Sequence, residues 1–484
     1  MSEVYENLIG GRWIGPTGDR RFERKNPADV TETIGTFPAL GSEDADDIVD
    51  AALGGLAEWR TMKVLDRGRV LLQAAALLRE RLDEIARDLT REMGKTLAEA
   101  TAETSAAAAF FEYNGGLARA PEGDVLPDRR DDALVWTRRE PIGVVVLITP
   151  WNDPLATPAR KLGPALICGN AVVLKPASYT ALSALHLARA LHDAGLPPGV
   201  VNTATGSGST IGAALASARG VAGVSFTGSN EVGAQLQGRG AGSSLRLQTE
   251  LGGKNAALVL RDADLDVAID AITSAAWGQT GQRCTSTSRV IVEEPLMDEV
   301  VDRLVKRAES LRVGSGLDPR VEMGPLVSAE QLDQVLAAVA EGRAQGAEVL
   351  FGGERLVDED HRDGHFMAPT IMSTADPQNV AWVEELFGPV LTVRSASTPE
   401  EGVELVNQSR YGLSAAVFTT DLRRAFAFTR DIEAGQISIN VPTAGWDVHV
   451  PFGGFKESGS AFREQGVEGL GFYSRTKSIA MYGG

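Results

Sequence analysis

Three features of the sequence predict an α/β fold built from successive units. At 484 residues the chain is about three times the usual ~150-residue domain, so two or three structural units are expected. From residue 140 onward, short β-branched runs alternate with helical stretches. The same alternation restarts after residue 250. A β–α–β rhythm of this kind implies parallel sheets joined by right-handed crossovers.

The elements follow in order. Residues 42–120 read as helices, with Ser42 as an N-cap before EDADDIVDAAL and helical spacing of apolar positions in RGRVLLQAAALLRERLDEIARDLTREMG. Residues 121–139, PEGDVLPDRRDDALVWTRR, read as a polar hairpin, either a subunit interface or a solvated loop. The first unit then runs through IGVVVLITP, PARKLGPALICG, AVVLKP, ALSALHLARALHDAG and VVNTATG. The second contains AALVLRDAD, a helix over 265–278, SRVIVEE and LMDEVVDRLVKRAESL. The closing YSRTKSIAMY reads as a strand, and no repeat or low-complexity tract interrupts the pattern.

Composition narrows the function. The formal net charge of −18, with no Lys/Arg-rich run, opposes binding to a phosphate backbone. No nucleic-acid partner is expected. No stretch of 18 apolar residues occurs and MSEVYENLIGGRW lacks the pattern of a leader, so no membrane partner and a cytoplasmic location are expected. Two cysteines are too few for a disulfide framework in so long a chain. Cys168, inside PALICGNAVVL, reads as a buried, inert residue.

Four segments carry candidate chemistry. In GQTGQRCTSTSRV, glycines and small hydroxylated residues surround Cys284, a setting that can expose a nucleophile, and Arg283 or a helix N-terminus could lower the thiol pKa. In QTELGGKN, Glu250 stands before two glycines; it is either a general base or a surface carboxylate beside a turn. In ITPWNDP, Asn152 follows an apolar strand, where its amide could donate to a developing oxyanion or simply cap a turn. Gly206, Gly208 and Gly212 in TGSGSTIG come within one residue of a dinucleotide-binding spacing, and VSFTGSNEVG follows.

Together with Glu385-Leu386-Phe387-Gly388-Pro389 and the closing PFGGFKESGS, these segments resemble, in order and wording, the aldehyde dehydrogenase superfamily over essentially the whole chain. The resemblance implies a Rossmann-like cofactor-binding domain (1–120 and 140–249), an α/β catalytic domain (250–460) and a small β oligomerisation element (121–139 and 461–484). It implies Cys284 as nucleophile, Asn152 as oxyanion donor, Glu250 as the base that hydrolyses a thioester, and Lys161 as a further catalytic residue. For NAD or NADP it implies Trp151, Lys175, Ser178, Gly206, Ser229, Leu251, Glu385 and Phe387. The expected partners are a small-molecule aldehyde and other copies of the chain, as a homodimer or dimer of dimers, with no resident metal.

Two departures bear on specificity. Many NAD-preferring members carry a glutamate where this chain has Ser178; without that charge a 2′-phosphate is tolerated, so NADP is a credible cofactor. Asp153 replaces a common aromatic residue, and Arg160 occupies a position where succinic semialdehyde dehydrogenase-like members also carry arginine. The pair could bind substrate, Arg160 gripping a carboxylate, or could simply bind each other. NVPTAGWDVHVPFGG and NPAD are similar to segments of bacterial 2-oxoglutarate semialdehyde dehydrogenases, which points to a semialdehyde. The rival readings are a CoA-acylating relative, which would lack Glu250, and a catalytically silent scaffold, which would lack Cys284 or Asn152.

Overall fold

The computed structural model describes residues 3–120, 122–240, 242 and 244–482, so positions 1, 2, 121, 241, 243, 483 and 484 of the segments assigned above lie outside it. Two parallel sheets dominate. In the first, β1 (Val144–Ile148), β2 (Ala171–Lys175), β3 (Val201–Thr203), β4 (Val221–Thr227) and β5 (Arg246–Glu250) lie in the order β3-β2-β1-β4-β5, all neighbours parallel. The order reverses between β1 and β4, which is where an open parallel sheet leaves a crevice at its carboxyl edge.

The second sheet has seven strands: β6 (Asn255–Val259), β7 (Thr287–Glu293), β8 (Glu348–Phe351), β9 (Thr370–Ser373), β10 (Val390–Ala396), β11 (Ser414–Phe418) and β12 (Gln436–Ile439). They run β8-β9-β10-β7-β6-β11-β12, with only β8 antiparallel to its neighbour. Both sheets are covered on two faces, which is why β2 and β6 read as unbroken apolar runs rather than alternating ones.

Helices α1 (Ala45–Trp59), α2 (Val64–Glu80), α3 (Leu82–Met93), α4 (Leu97–Gly116), α5 (Ala156–Ile167) and α6 (Ala181–Asp193) surround the first sheet. Trp59, Leu71, Leu78, Phe111, Leu147 and Leu174 share one core there. Burying each such side chain contributes about 1.5–3 kcal/mol. Ser42, read as a cap, instead opens a short 3-10 turn; the Asp44 carboxylate accepts from the backbone N–H of Gly41 at 2.7 Å.

The hairpin and the C-terminal strand meet in a separate sheet. Residues Ala133–Pro141 pair antiparallel on one side with Val125–Leu126 and on the other with Ser474–Tyr482. Residues 461–473 stay outside this sheet: Phe472 and Tyr473 belong to the core around the first sheet, and Glu464 is buried among charged groups. An antiparallel pair at the N-terminus, Arg21–Asn26 with Asp29–Pro38, had no counterpart in the sequence reading.

Candidate active site

A cavity of about 1190 Å³ opens where the carboxyl edge of the first sheet faces the amino edge of the second. Each side of the seam contributes by position. From the first sheet come the residues just past β1 (Trp151, Asn152, Asp153), β2 (Lys175, Ser178), β4 (Ser229) and β5 (Leu251). The second contributes residues just before β7 (Arg283, Cys284) and before β10 (Glu385, Phe387), and Arg160 reaches in from α5.

Unusual backbone holds Cys284. Gln279, Thr280 and Gly281 are successively left-handed, with φ of 49°, 59° and 68°. A Cβ on Gly281 would meet the Gly388 carbonyl at 2.1 Å, so glycine is required for the chain to pass. Beyond the thiol, the Asn255 amide donates to the carbonyls of Cys284 and Ser286, both at 2.8 Å. Gly253 makes that approach possible, since a Cβ there would lie 2.5 Å from the Cys284 oxygen. The expected depression of the thiol pKa does not occur. Burial pushes Cys284 up to about 12, the Arg160 charge opposing it only partly, so the resting group is a thiol.

Asn152 is buried, and its side-chain amide reaches a single acceptor, Asp153 Oδ2, at the limiting distance of 3.5 Å. Its donors are therefore largely uncommitted. Asp153 and Arg160 do not pair. Asp153 accepts from Gln279 Nε2 at 3.0 Å and from Lys95 Nζ at 3.4 Å; burial raises its pKa, but the charges of Lys95 and then Arg283 outweigh that and hold it low. Arg160 is ion-paired through Nε with Glu464 Oε2 at 2.8 Å and lies 4.6 Å over the Phe452 ring. Arg283 has no ion pair among the described residues.

Three of the expected residues do not line the cavity: Glu250, Lys161 and Gly206. Glu250 ends β5 only 1% exposed, behind the wall, with no protein donor on either carboxylate oxygen. That excludes the surface reading. Burial, reinforced by the nearby Glu464 charge, raises its pKa well above the ordinary value against the pull of Arg160 and Lys161. Lys161 is fully buried; it donates to Ser225 Oγ at 2.7 Å and pairs closely with Glu464, and burial lowers its pKa. Gly206 faces away, its carbonyl accepting from Ser178 Oγ at 2.9 Å, and its successors Ser207 and Gly208 form that edge of the cavity.

The remaining lining suits a dinucleotide. Lys175 is buried with no anionic partner among the described residues, its Nζ donating to the Pro176 carbonyl at 2.8 Å, and burial pulls its pKa to about 8. At the other end, Glu385 accepts from the Gly253 N–H at 2.9 Å, and burial pushes its carboxyl up to about 7. Trp151 and Phe387 meet edge to face, 5.2 Å between centroids.

Sequence comparison places the chain itself: a profile of the aldehyde dehydrogenase family matches residues 13–479. The chain belongs to the aldehyde dehydrogenase family. It is similar to the alpha-ketoglutaric semialdehyde dehydrogenase of Bacillus subtilis, 39% identical over 98% of both chains. It is also similar to the alpha-ketoglutarate semialdehyde dehydrogenase of Haloferax volcanii, 42% identical over 99% of both. Among solved structures, a betaine aldehyde dehydrogenase from Staphylococcus aureus in complex with NAD+ superposes with a TM-score of 0.96 at 32% identity, over 99% of this chain and 95% of that one. The enzyme is thus an oxidoreductase acting on aldehydes with NAD or NADP. No described helix of this aldehyde dehydrogenase is long and apolar enough to cross a membrane.

Sequence reading missed three charged residues around the aldehyde dehydrogenase site: Lys95, Glu103 and Glu464. Glu464 lies in a segment assigned to oligomerisation, and nothing in its wording marks a buried carboxylate. Lys95 and Glu103 sit in and beside helices that read as packing layers.

Proposed function

We propose that the enzyme oxidises a carboxylate-bearing semialdehyde, of the 2-oxoglutarate semialdehyde class, to the dicarboxylic acid through a thioester on Cys284. The observation that carries the chemistry is the junction of Cys284 and the uncommitted Asn152 amide in one cavity, with a buried, raised carboxyl, Glu250, behind its wall. The names of the two curated relatives support the substrate class.

In this mechanism the Cys284 thiol gives its proton to water in the cavity as Sγ attacks the aldehyde carbon, while the Asn152 side-chain amide and the Cys284 backbone N–H stabilise the oxyanion. Bound NAD or NADP supplies the hydride acceptor, held by Trp151, Lys175, Ser178, Ser229, Leu251, Glu385 and Phe387, with Gly206 shaping the edge. Glu250 then takes a proton from the water that cleaves the thioester. No protein hydrogen bond has to break for its side chain to turn toward the cavity. Lys161 sets the charge around Glu250 through Glu464.

The first sheet then serves as the cofactor-binding domain, the second as the catalytic domain, and the three-stranded arm as the oligomerisation element of a homodimer or dimer of dimers. Val125, Leu134 and Met481, exposed apolar side chains on that arm, support the last assignment. Cytoplasmic residence suits a reaction that needs a free thiol. An assay of NADH and NADPH formation with 2-oxoglutarate semialdehyde, succinic semialdehyde, propanal and benzaldehyde, with and without CoA, tests the reading. Preference for the acidic aldehydes with no need of CoA is expected; a requirement for CoA would favour acyl transfer to that thiol instead.

Two variants address specificity. Arg160, oriented by Glu464 and Phe452, is placed by this reading against the substrate carboxylate. Arg160→Leu should raise KM for the acidic aldehydes by the equivalent of about 1.5–3 kcal/mol, the worth of a charge-assisted hydrogen bond. An equal loss with propanal would make Arg160 a structural partner of Glu464 only. Ser178→Glu should move the NADP-to-NAD ratio of kcat/KM toward NAD by about tenfold or more, since a like charge meets the 2′-phosphate. An unchanged ratio would remove Ser178 from cofactor choice.

A further inference from the structure

The Asn152 side chain has one hydrogen bond among the described residues, to Asp153 at the limiting distance, although it is buried. Hydrogen bonds that fix its position must therefore act on the backbone of residues 152–156. Two groups from the α3–α4 corner do so. Lys95, between the two helices and 1% exposed, donates to the Asn152 carbonyl at 2.8 Å, to Asp153 Oδ1 at 3.4 Å and to Glu103 Oε2 at close range. An ammonium has three N–H donors, and these three acceptors use them all. Glu103, on α4, turns its other oxygen to the backbone N–H groups of Leu155 and Ala156, at 2.8 and 3.0 Å, where α5 begins. The turn is thus gripped at its start by Lys95 and at its end by Glu103. Asp153 carries the same network to Gln279 in the left-handed stretch before Cys284.

We infer that the buried Lys95–Glu103 pair is the positioning device for the oxyanion donor, setting the Asn152 amide against Cys284 through the backbone of the turn. Lys95 does not line the cavity; Glu103 does, but both of its carboxylate oxygens are engaged, by Lys95 and by the N–H groups of Leu155 and Ala156, so the pair acts through Asn152 rather than on substrate. The inference rests on the oxyanion role proposed for Asn152, and the test separates the two.

The test is a double-mutant cycle on the pre-steady-state NADH burst, with NAD+ and the aldehyde of the panel that the parent enzyme oxidises fastest. Lys95→Met alone would strand a buried carboxylate, so the pair is replaced by the neutral, similarly shaped Lys95→Met/Glu103→Gln. Loss of positioning should slow the burst about 100-fold in the parent background, the scale of a misplacement near 1 Å. In an Asn152→Ala background the same double change should slow it no further than about twofold, because the group it positions is gone. Glu103→Gln alone, which leaves Lys95 balanced by Asp153, should show the same non-additivity and serves if the double variant does not fold. Equal slowing in both backgrounds, or none in the parent, overturns the inference alone. An Asn152→Ala burst as fast as the parent's overturns the oxyanion assignment and this inference with it.

Discussion

Replacing Cys284 by alanine is expected to abolish aldehyde oxidation, with a loss on the order of 10⁶-fold, the scale reached when a covalent nucleophile is removed. Cys284 is the one cysteine that lines the cavity among the described residues. Cys168, the second cysteine, is half-buried against the core around the first sheet, away from the cavity lining. NAD+ affinity should stay within about threefold of the parent, since the lining assigned to the cofactor comes from segments after β1, β2, β4 and β5 and before β10. Fluorescence titration of NAD+ alongside the NADH assay checks both halves. Appreciable residual turnover would sink the thioester mechanism.

Glu250→Gln should give a different failure. Hydride transfer precedes the step that needs the base, so one equivalent of NADH per active site should appear before turnover stalls, the steady rate falling about 10²–10⁴-fold. Trapping of the acyl group on Cys284 by mass spectrometry would accompany the stall. The pH profile carries the sign. Burial raises the Glu250 pKa well above its usual value, and only the ionised form accepts a proton, so parent turnover should fall as pH is lowered through that raised pKa. In Glu250→Gln this acid limb should vanish from the slow residual rate. If the burst itself disappears, Glu250 also deprotonates Cys284, a role made plausible by the raised pKa of that thiol.

Much of this site was legible in the chain because its parts sit where regular elements end. Asn152 follows an apolar run and Cys284 precedes SRVIVEE, so the β–α–β rhythm put those two beside strand ends, whereas Glu250 closes a strand that the rhythm had not marked and stood out by its wording alone. Which edges face each other was not legible, since period-2 patterning says nothing about how two sheets are set against one another. The partner of Arg160 was not legible for the same reason. Asp153 is seven positions away along the chain, whereas Glu464 is about three hundred, and only the fold brings it within 2.8 Å. The burial of Lys95 and Glu103 was hidden because charged residues in helices ordinarily mark the solvated face.

Gly253, the Asn255 amide and the carbonyl of Cys284 together have a mechanical result. The six-residue stretch from Glu250 to Asn255 leaves one sheet, enters the other, and docks directly on the loop that bears the thiol. The proposed base and nucleophile are therefore tied to a single short tether, like two marks on one ruler. A shift of one sheet against the other is expected to carry both marks together, through the four residues between the sheets and the hydrogen bond from Asn255 to the Cys284 carbonyl.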